Sequence, residues 1–163
     1  MSILRREIEL AVQIGDEPTE MSAVGIIAWH PDIEVLAMRS YCGPDGVVLL
    51  LITTNAPKAA DILEAAGFRC KSTPVILAGP LHQSGLAALI GTELALLGID
   101  VLYSYTSRIG AGHQYLVFKT ADDNRALQAL EAKAGVRDLA QANSWQHQSA
   151  VSEMVSSCQQ AAA

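Results

Sequence analysis

Two short segments hold the residue types best suited to gripping a small molecule. The first is Gly15-Asp16-Glu17-Pro18-Thr19 and the second is Leu81-His82-Gln83-Ser84-Gly85-Leu86. Each falls between a predicted strand and a predicted helix. The first backbone N–H groups of a helix have no partner within it, and its dipole is positive there, so such a start can hold a carboxylate. Asp16 can meet an ammonium group, and His82 or Ser84 can hydrogen-bond a carboxylate. Gly85 lets a ligand approach the backbone closely. The simpler reading of both segments is capping, which every helix needs. The second segment is favoured for binding because of its glycine.

The other reactive side chains are read as structural. His82 can act as a pH-sensitive group, but a loop histidine is more often solvated; His30 and His113 are read the same way, and His147 falls in the tail. The four do not share metal-ligand spacing, so no metal site is expected. Tyr103, Tyr105 and Tyr115 fall on adjacent strands, with Tyr103 and Tyr105 on one face, where they line either a pocket or packed core. Cys42, Cys70 and Cys158 are odd in number and match no redox or zinc pattern, so they are expected as free buried thiols in a reducing compartment. Gly110-Ala111-Gly112 lies between strands rather than before a helix and is no phosphate loop. No Ser/His/Asp or Cys/His set stands out by spacing. Asp45, Glu64 and the remaining acids read as turns and solvated faces. The expectation is a protein without a cofactor and without catalytic activity.

Composition narrows the partners. Half of the 163 residues are hydrophobic and 17% are charged, enough to build a core. The net charge of −6 argues against nucleic acid, which demands clustered Lys and Arg, and against anionic lipid. Arg5, Arg6 and Glu7 occupy the place of a secretory apolar core, and the apolar runs are strand-sized. A cytoplasmic location follows as an expectation.

Strands and helices alternate in a regular order. Ile8 to Ile14 alternates apolar and polar residues, as a strand does. Met21 to Trp29 reads as a helix, Ile33 to Tyr41 as a strand, and Gly43-Pro44-Asp45-Gly46 as a turn. Val47 to Thr54 is an almost wholly apolar strand. Asn55 caps a helix over Ala56 to Ala66, Gly67 ends it, and Phe68 to Ser72 is a short strand. The order βαββαβ then recurs: strand Pro74 to Ala78, helix Gly85 to Leu97, strands Ile99 to Ser107 and Gln114 to Lys119, and a helix from Asp122 or Asp123 to Lys133. Val136 to Leu139 is read as a last short strand. A shift of 66 residues lays Thr19 on Gly85, Gly25 on Gly91, Ile33 on Ile99, Leu50 on Leu116 and Thr54 on Thr120, the mark of an internal repeat.

A βαββαβ unit gives a four-stranded antiparallel sheet with both helices on one face. Val47 to Ile52 and Tyr115 to Phe118 are apolar on both faces, whereas a one-sided sheet would alternate. The helix-free face must therefore be covered by the other unit, a second copy of the chain or the tail. Side-by-side sheets that dimerise over those faces are the expected arrangement.

With this order the chain resembles the ACT-domain family, in particular its small free-standing tandem members, over residues 5 to 140. Asp16-Glu17-Pro18-Thr19 is similar to the family loop Asp-x-Pro-Gly, with Thr19 in place of Gly. His82-Gln83-Ser84-Gly85-Leu86 keeps Gly and Leu, with His82 for Asp and Ser84 for Pro. Pro31-Asp32-Ile33-Glu34 and Gly98-Ile99-Asp100-Val101 stand where the family has Gly-Ile-Asn-Ile. Tyr103-Ser104-Tyr105 and Ala65-Ala66-Gly67-Phe68 also look typical. The resemblance implies an α+β fold of two tandem ferredoxin-like (βαββαβ) ACT-type modules with antiparallel sheets, spanning 1–72 and 73–140. Residues 141–163 form a tail, either frayed or a short docked helix. It also implies a non-catalytic regulatory protein that binds a small molecule, an amino acid first of all, at Gly15–Thr19 and Leu81–Leu86, and that forms a homodimer. The alternatives are a ligand-free dimerisation or protein-interaction module, and a small ferredoxin-like enzyme.

Overall fold

The computed structural model describes residues 4–14, 20–81, 85–109 and 113–133. Along them run β1 (Leu4–Gln13), α1 (Glu20–Ala28), β2 (Val35–Gly43), β3 (Gly46–Thr53), α2 (Ala56–Ala65), β4 (Arg69–Leu81), α3 (Gly85–Leu96), β5 (Val101–Ile109), β6 (His113–Thr120) and α4 (Asp123–Ala132). The fold is α+β. Its strands form one sheet in the order β2-β3-β1-β4-β6-β5, with every neighbouring pair antiparallel.

Local chemistry accounts for the element ends. Asn55 Oδ1 accepts the Lys58 N–H at 3.2 Å and Asp122 Oδ1 accepts the Arg125 N–H at 3.0 Å, so α2 and α4 start on the same type of cap. Helix α2 ends at Gly67, whose φ of +94° suits glycine. Gly79 has a φ of +145°, and a Cβ there would lie 2.6 Å from the Tyr115 ring. It sits where the β4–β6 register shifts between Ala78 and Leu81.

The two central strands are longer than their sequence suggests. β1 starts at Leu4 rather than Ile8. The two short strands expected over Phe68–Ser72 and Pro74–Ala78 are parts of β4, so residues 72 and 73 both lie inside one strand. Pro74 is tolerated there because β6 pairs with β4 only from Ile76 onward, so the missing N–H breaks no second ladder. The expected strand at Val136–Leu139 and the tail 141–163 lie outside the described residues.

The pairing register has a symmetry that bears on the shift of 66. Ile8 pairs with Pro74, 66 residues on, and the β1–β4 ladder is symmetric about that pair: Glu9 opposite Thr73 is mirrored by Glu7 opposite Val75. The same irregularity recurs between Val35 and Ala37 in β2 and between Val101 and Tyr103 in β5. Beyond the hairpins the shift becomes 67. Gly43 pairs with Gly46 in the first hairpin but Ile109 with His113 in the second, which is one residue longer. Leu50 therefore corresponds to Val117, not Leu116, and Thr53 rather than Thr54 to Thr120. A one-residue slip turns a side chain to the other face: Leu50 and Val117 share the helix-free face, while Leu116 packs under the helices.

Among the described residues the buried side chains form three clusters. Ala23, Ile27, Ala59 and Leu63 of α1 and α2 cover Leu10, Val12, Leu49 and Leu51. Ile90, Leu94, Ala126 and Leu130 of α3 and α4 cover Leu4, Ile76, Ala78, Leu116 and Phe118. The third cluster, on the helix-free face, joins Leu36, Ala37, Leu50, Ile52, Val75, Leu77, Tyr105 and Val117. The sheet curls until its two edge strands meet, and the Met38 N–H donates to Ser107 Oγ at 3.0 Å. One such hydrogen bond contributes about 1 kcal/mol, whereas each large apolar side chain taken from water contributes about 1.5–3 kcal/mol. Apolar burial drives the curl. The cover expected for the bare face thus comes from the other half of the same chain, and the face on which dimerisation was expected is turned inward by the curl.

Candidate functional site

Along β1, Leu4, Leu10 and Val12 face the helices. Glu9 and Ala11 alternate with them and face the inside of the curl. Glu9 is only 2% exposed, while its neighbour Ile8 is 37% exposed. The usual order, apolar in and acid out, is inverted here. Ile8 sits at the centre of the β1–β4 ladder, outside both helix-covered clusters, and the curl closes over Glu9. The reading of the remaining acids as turns and solvated faces is corrected at this residue.

Two tyrosines from the far edge of the sheet meet the Glu9 carboxylate. Tyr103 Oη donates to Oε1 at 2.7 Å and Tyr105 Oη donates to Oε2 at 2.7 Å. They share a face of β5, as their spacing predicts, and only the curl brings them to β1. Beside them lies a cavity of about 540 Å³, within the range of small-molecule sites. Its buried lining is Glu9, Leu50 and Tyr105; its exposed lining is Arg39, Tyr41, Lys71 and Tyr103, with Ala11 and Thr73 between. A second cavity of about 600 Å³ adjoins it, sharing Ala11, Tyr41 and Lys71 and adding Gln13, Asp45 and Arg69.

Burial, and then the Glu9 carboxylate, raises both phenols well above the ordinary tyrosine range, although Arg39 partly opposes this at Tyr105. Both therefore stay protonated and act as hydrogen-bond donors rather than as bases. The Arg39 guanidinium lies 5.9 Å from the centre of the Tyr105 ring, a cation–π distance. Among the described residues no Lys, Arg or His forms an ion pair with Glu9, and neither Arg39 nor Lys71 forms one with any acid.

The segments singled out in the sequence lie elsewhere. Gly15, Asp16, Glu17, Pro18 and Thr19 are outside the described residues, as are His82, Gln83 and Ser84. Leu81 ends β4 opposite Gln114, and Gly85 and Leu86 open α3. β1 and β4 run antiparallel, so Gln13 and Leu81, from which the two segments depart, stand at opposite ends of the central pair. Of the residues weighed in the sequence, Tyr103 and Tyr105 reach the cavity, and Tyr115 packs against the inner cluster. Glu9, Arg39 and Lys71 went unnoticed. The sequence signal was slight: Glu9 between Ile8 and Leu10, Arg39 between Met38 and Ser40, and Lys71 between Cys70 and Ser72. Cys42 is exposed rather than buried, because it sits beside the hairpin turn; Cys70 is half-buried, and burial pushes its thiol up. Cys158 lies outside the described residues. His30 is half-buried, with Nδ1 enclosed and unpartnered, not freely solvated. Among the described residues no cluster of His, Cys, Asp and Glu could hold a metal ion, and no helix is long and apolar enough to cross a membrane.

Solved structures share this architecture. The chain matches protein BT0572 from Bacteroides thetaiotaomicron with a TM-score of 0.65 at 18% identity, over 80% of this chain and 90% of that one. It matches the regulatory subunit of aspartate kinase from Thermus thermophilus, in its ligand-free form, with a TM-score of 0.50 at 14% identity, over 83% and 94%. At these identities the likeness is one of fold, and that fold is the ACT-type fold expected from the sequence. No protein-family model matches the chain, and no curated protein matches it in sequence.

Proposed function

We propose that the protein is a non-catalytic regulatory protein that binds a small metabolite, with amino acids as the leading class. The observation that carries this is the fold shared with a regulatory subunit of aspartate kinase. In this reading residues 1–72 and 73–140 are two ACT-type modules that share β1 and β4, and Gly15–Thr19 and Leu81–Leu86 form the binding segments. The opening of α3 at Gly85 supports the second segment, since a glycine there leaves the first N–H groups accessible. The phenols beside Glu9 are held as donors, which favours binding over proton transfer. The protein acts in the cytoplasm as a homodimer and passes on the bound state through a changed contact with a partner. A thermal-shift screen against the twenty amino acids tests this. An amino acid at 100 times its dissociation constant stabilises the native state by about 2.7 kcal/mol. No shift with any of them defeats the amino-acid version.

A second reading, an interaction module, has its own support. Trp29 just after α1 is 88% exposed and Leu96 at the end of α3 is 75% exposed. They stand at corresponding ends of the two helices, and large apolar side chains left in water favour a protein contact. Loss of self-association or partner capture in Trp29→Ser with Leu96→Ser, with the melting temperature unchanged, is the result that favours this reading.

A further inference from the structure

The fold does not require an acid at position 9. The residue related to Glu9 across the Ile8–Pro74 centre is Val75, which is 1% exposed and packed in the inner cluster. Ala11 is likewise matched by Leu77, which is fully buried. The curl closes over Val75 and Leu77 without an acid at either position, so a buried carboxylate is not what bending the sheet demands. At the Glu9 end the same scaffold instead has a cavity, a buried carboxylate and two fixed donors.

The charges around that cavity are incomplete. Glu9 has two phenolic donors and no cation among the described residues. A carboxylate removed from water is costly without a countercharge. Arg39 and Lys71 lie on the exposed side of the same cavity, and no acid among the described residues pairs with either. At the other end the position matching Lys71 is Arg5, which is paired with Glu7 at 2.6 Å. The residue matching Glu7 is Thr73, which offers Lys71 no carboxylate at that position.

We propose that the cavity on the inner face of the sheet is a ligand site for a small zwitterion. Its protonated amine sits against Glu9 between Tyr103 and Tyr105, and its acidic group lies toward Arg39 and Lys71. Ala11, where the matching residue is Leu77, leaves the room. This site is separate from the strand-to-helix segments and stands or falls without them.

Titration calorimetry on the full chain tests it with three kinds of probe: the amino acids, putrescine (amine without acid) and glutarate (acid without amine). The expected result is that at least one amino acid binds and that Glu9→Gln weakens it by about tenfold or more, the loss of one charge-assisted contact. Glu9→Gln keeps an acceptor for the tyrosines, and its melting temperature reports whether it has folded. Arg39→Met with Lys71→Met, both at exposed positions, weakens amino acids by about tenfold and leaves putrescine unaffected. The proposal is overturned if no amine-bearing probe binds below about 10 mM, or if folded Glu9→Gln binds all probes as the wild type does. Binding lost in His82→Ala with Ser84→Ala but kept in Glu9→Gln overturns it too, while leaving the strand-to-helix reading intact.

Discussion

The inner face of the curled sheet has two ends built on one plan and filled differently. At one end Val75, Leu77, Ala37 and Val117 are each no more than 1% exposed and close the space. At the other the matching positions hold Glu9, Ala11, Tyr103 and Leu50, and the space stays open as the cavity. Leu36 is buried in the closed end, while Leu102, 66 residues on, is 62% exposed. The helix-covered face shows no such divergence: Ala59 and Leu63 of α2 match Ala126 and Leu130 of α4, and all four are fully buried. The helix face is packed alike at both ends, and the inner face is where the matching positions differ.

Exchanging the key residues breaks that contrast most directly. Val75→Glu places a carboxylate in a packed apolar cluster and is expected to cost about 3–5 kcal/mol in urea unfolding. Glu9→Val costs less than half of that, because the freed phenols open onto a cavity that water reaches. Equal costs would mean that the two ends are alike.

The tyrosines give the next effect. Tyr105→Phe removes a buried hydrogen bond to a carboxylate and is expected to cost about 1.5–3 kcal/mol. Tyr103→Phe costs less, since Tyr103 is 36% exposed and Tyr105 only 6%. The same phenols set an alkaline limit. Their folded-state pKa values are raised, so above the ordinary phenol pKa of about 10 the unfolded chain loses protons that the native state keeps. Stability then falls as pH rises past about 10. Melting temperatures between about pH 8 and 11 should drop less in the double Phe variant than in the wild type. An equal drop removes the tyrosine pair as the cause.

The smallest effect sharpens the contrast from the conserved side of the fold. Asn55→Ala and Asp122→Ala are each expected to cost about 1 kcal/mol, and to agree within about 0.5, because both remove the same cap from matching helices. Clearly unequal costs would extend the divergence beyond the inner face.

Local signals made much of the fold legible. The caps at Asn55 and Asp122, the stop at Gly67, the turn at Gly46 and the doubly apolar run over Val47–Ile52 act within a few residues, and the structure has each of them. The extent of β1 and β4 was not legible. Arg5, Arg6 and Glu7 look like a polar start, and Pro74 looks like a boundary, until each strand serves as the other's partner. The added residue in the second hairpin was also hidden, since an unbroken shift of 66 fits the sequence almost as well. The cavity was least legible of all. Tyr103 and Tyr105 were seen on one face, but Glu9 lies 94 and 96 residues away from them, and an acid in an alternating strand reads as solvent-facing until the curl is known.

The central pairing has a kinetic consequence. The hairpins β2–β3 and β5–β6 close over short turns, whereas the β1–β4 ladder joins residues as far apart as Leu4 and Ala78. Such distant contacts form slowly and late. The space beside Glu9 does not exist until that ladder is in register and the edges have met. A molecule held there recognises only the finished fold, so it lengthens the lifetime of the native state while the rate of folding stays as it was.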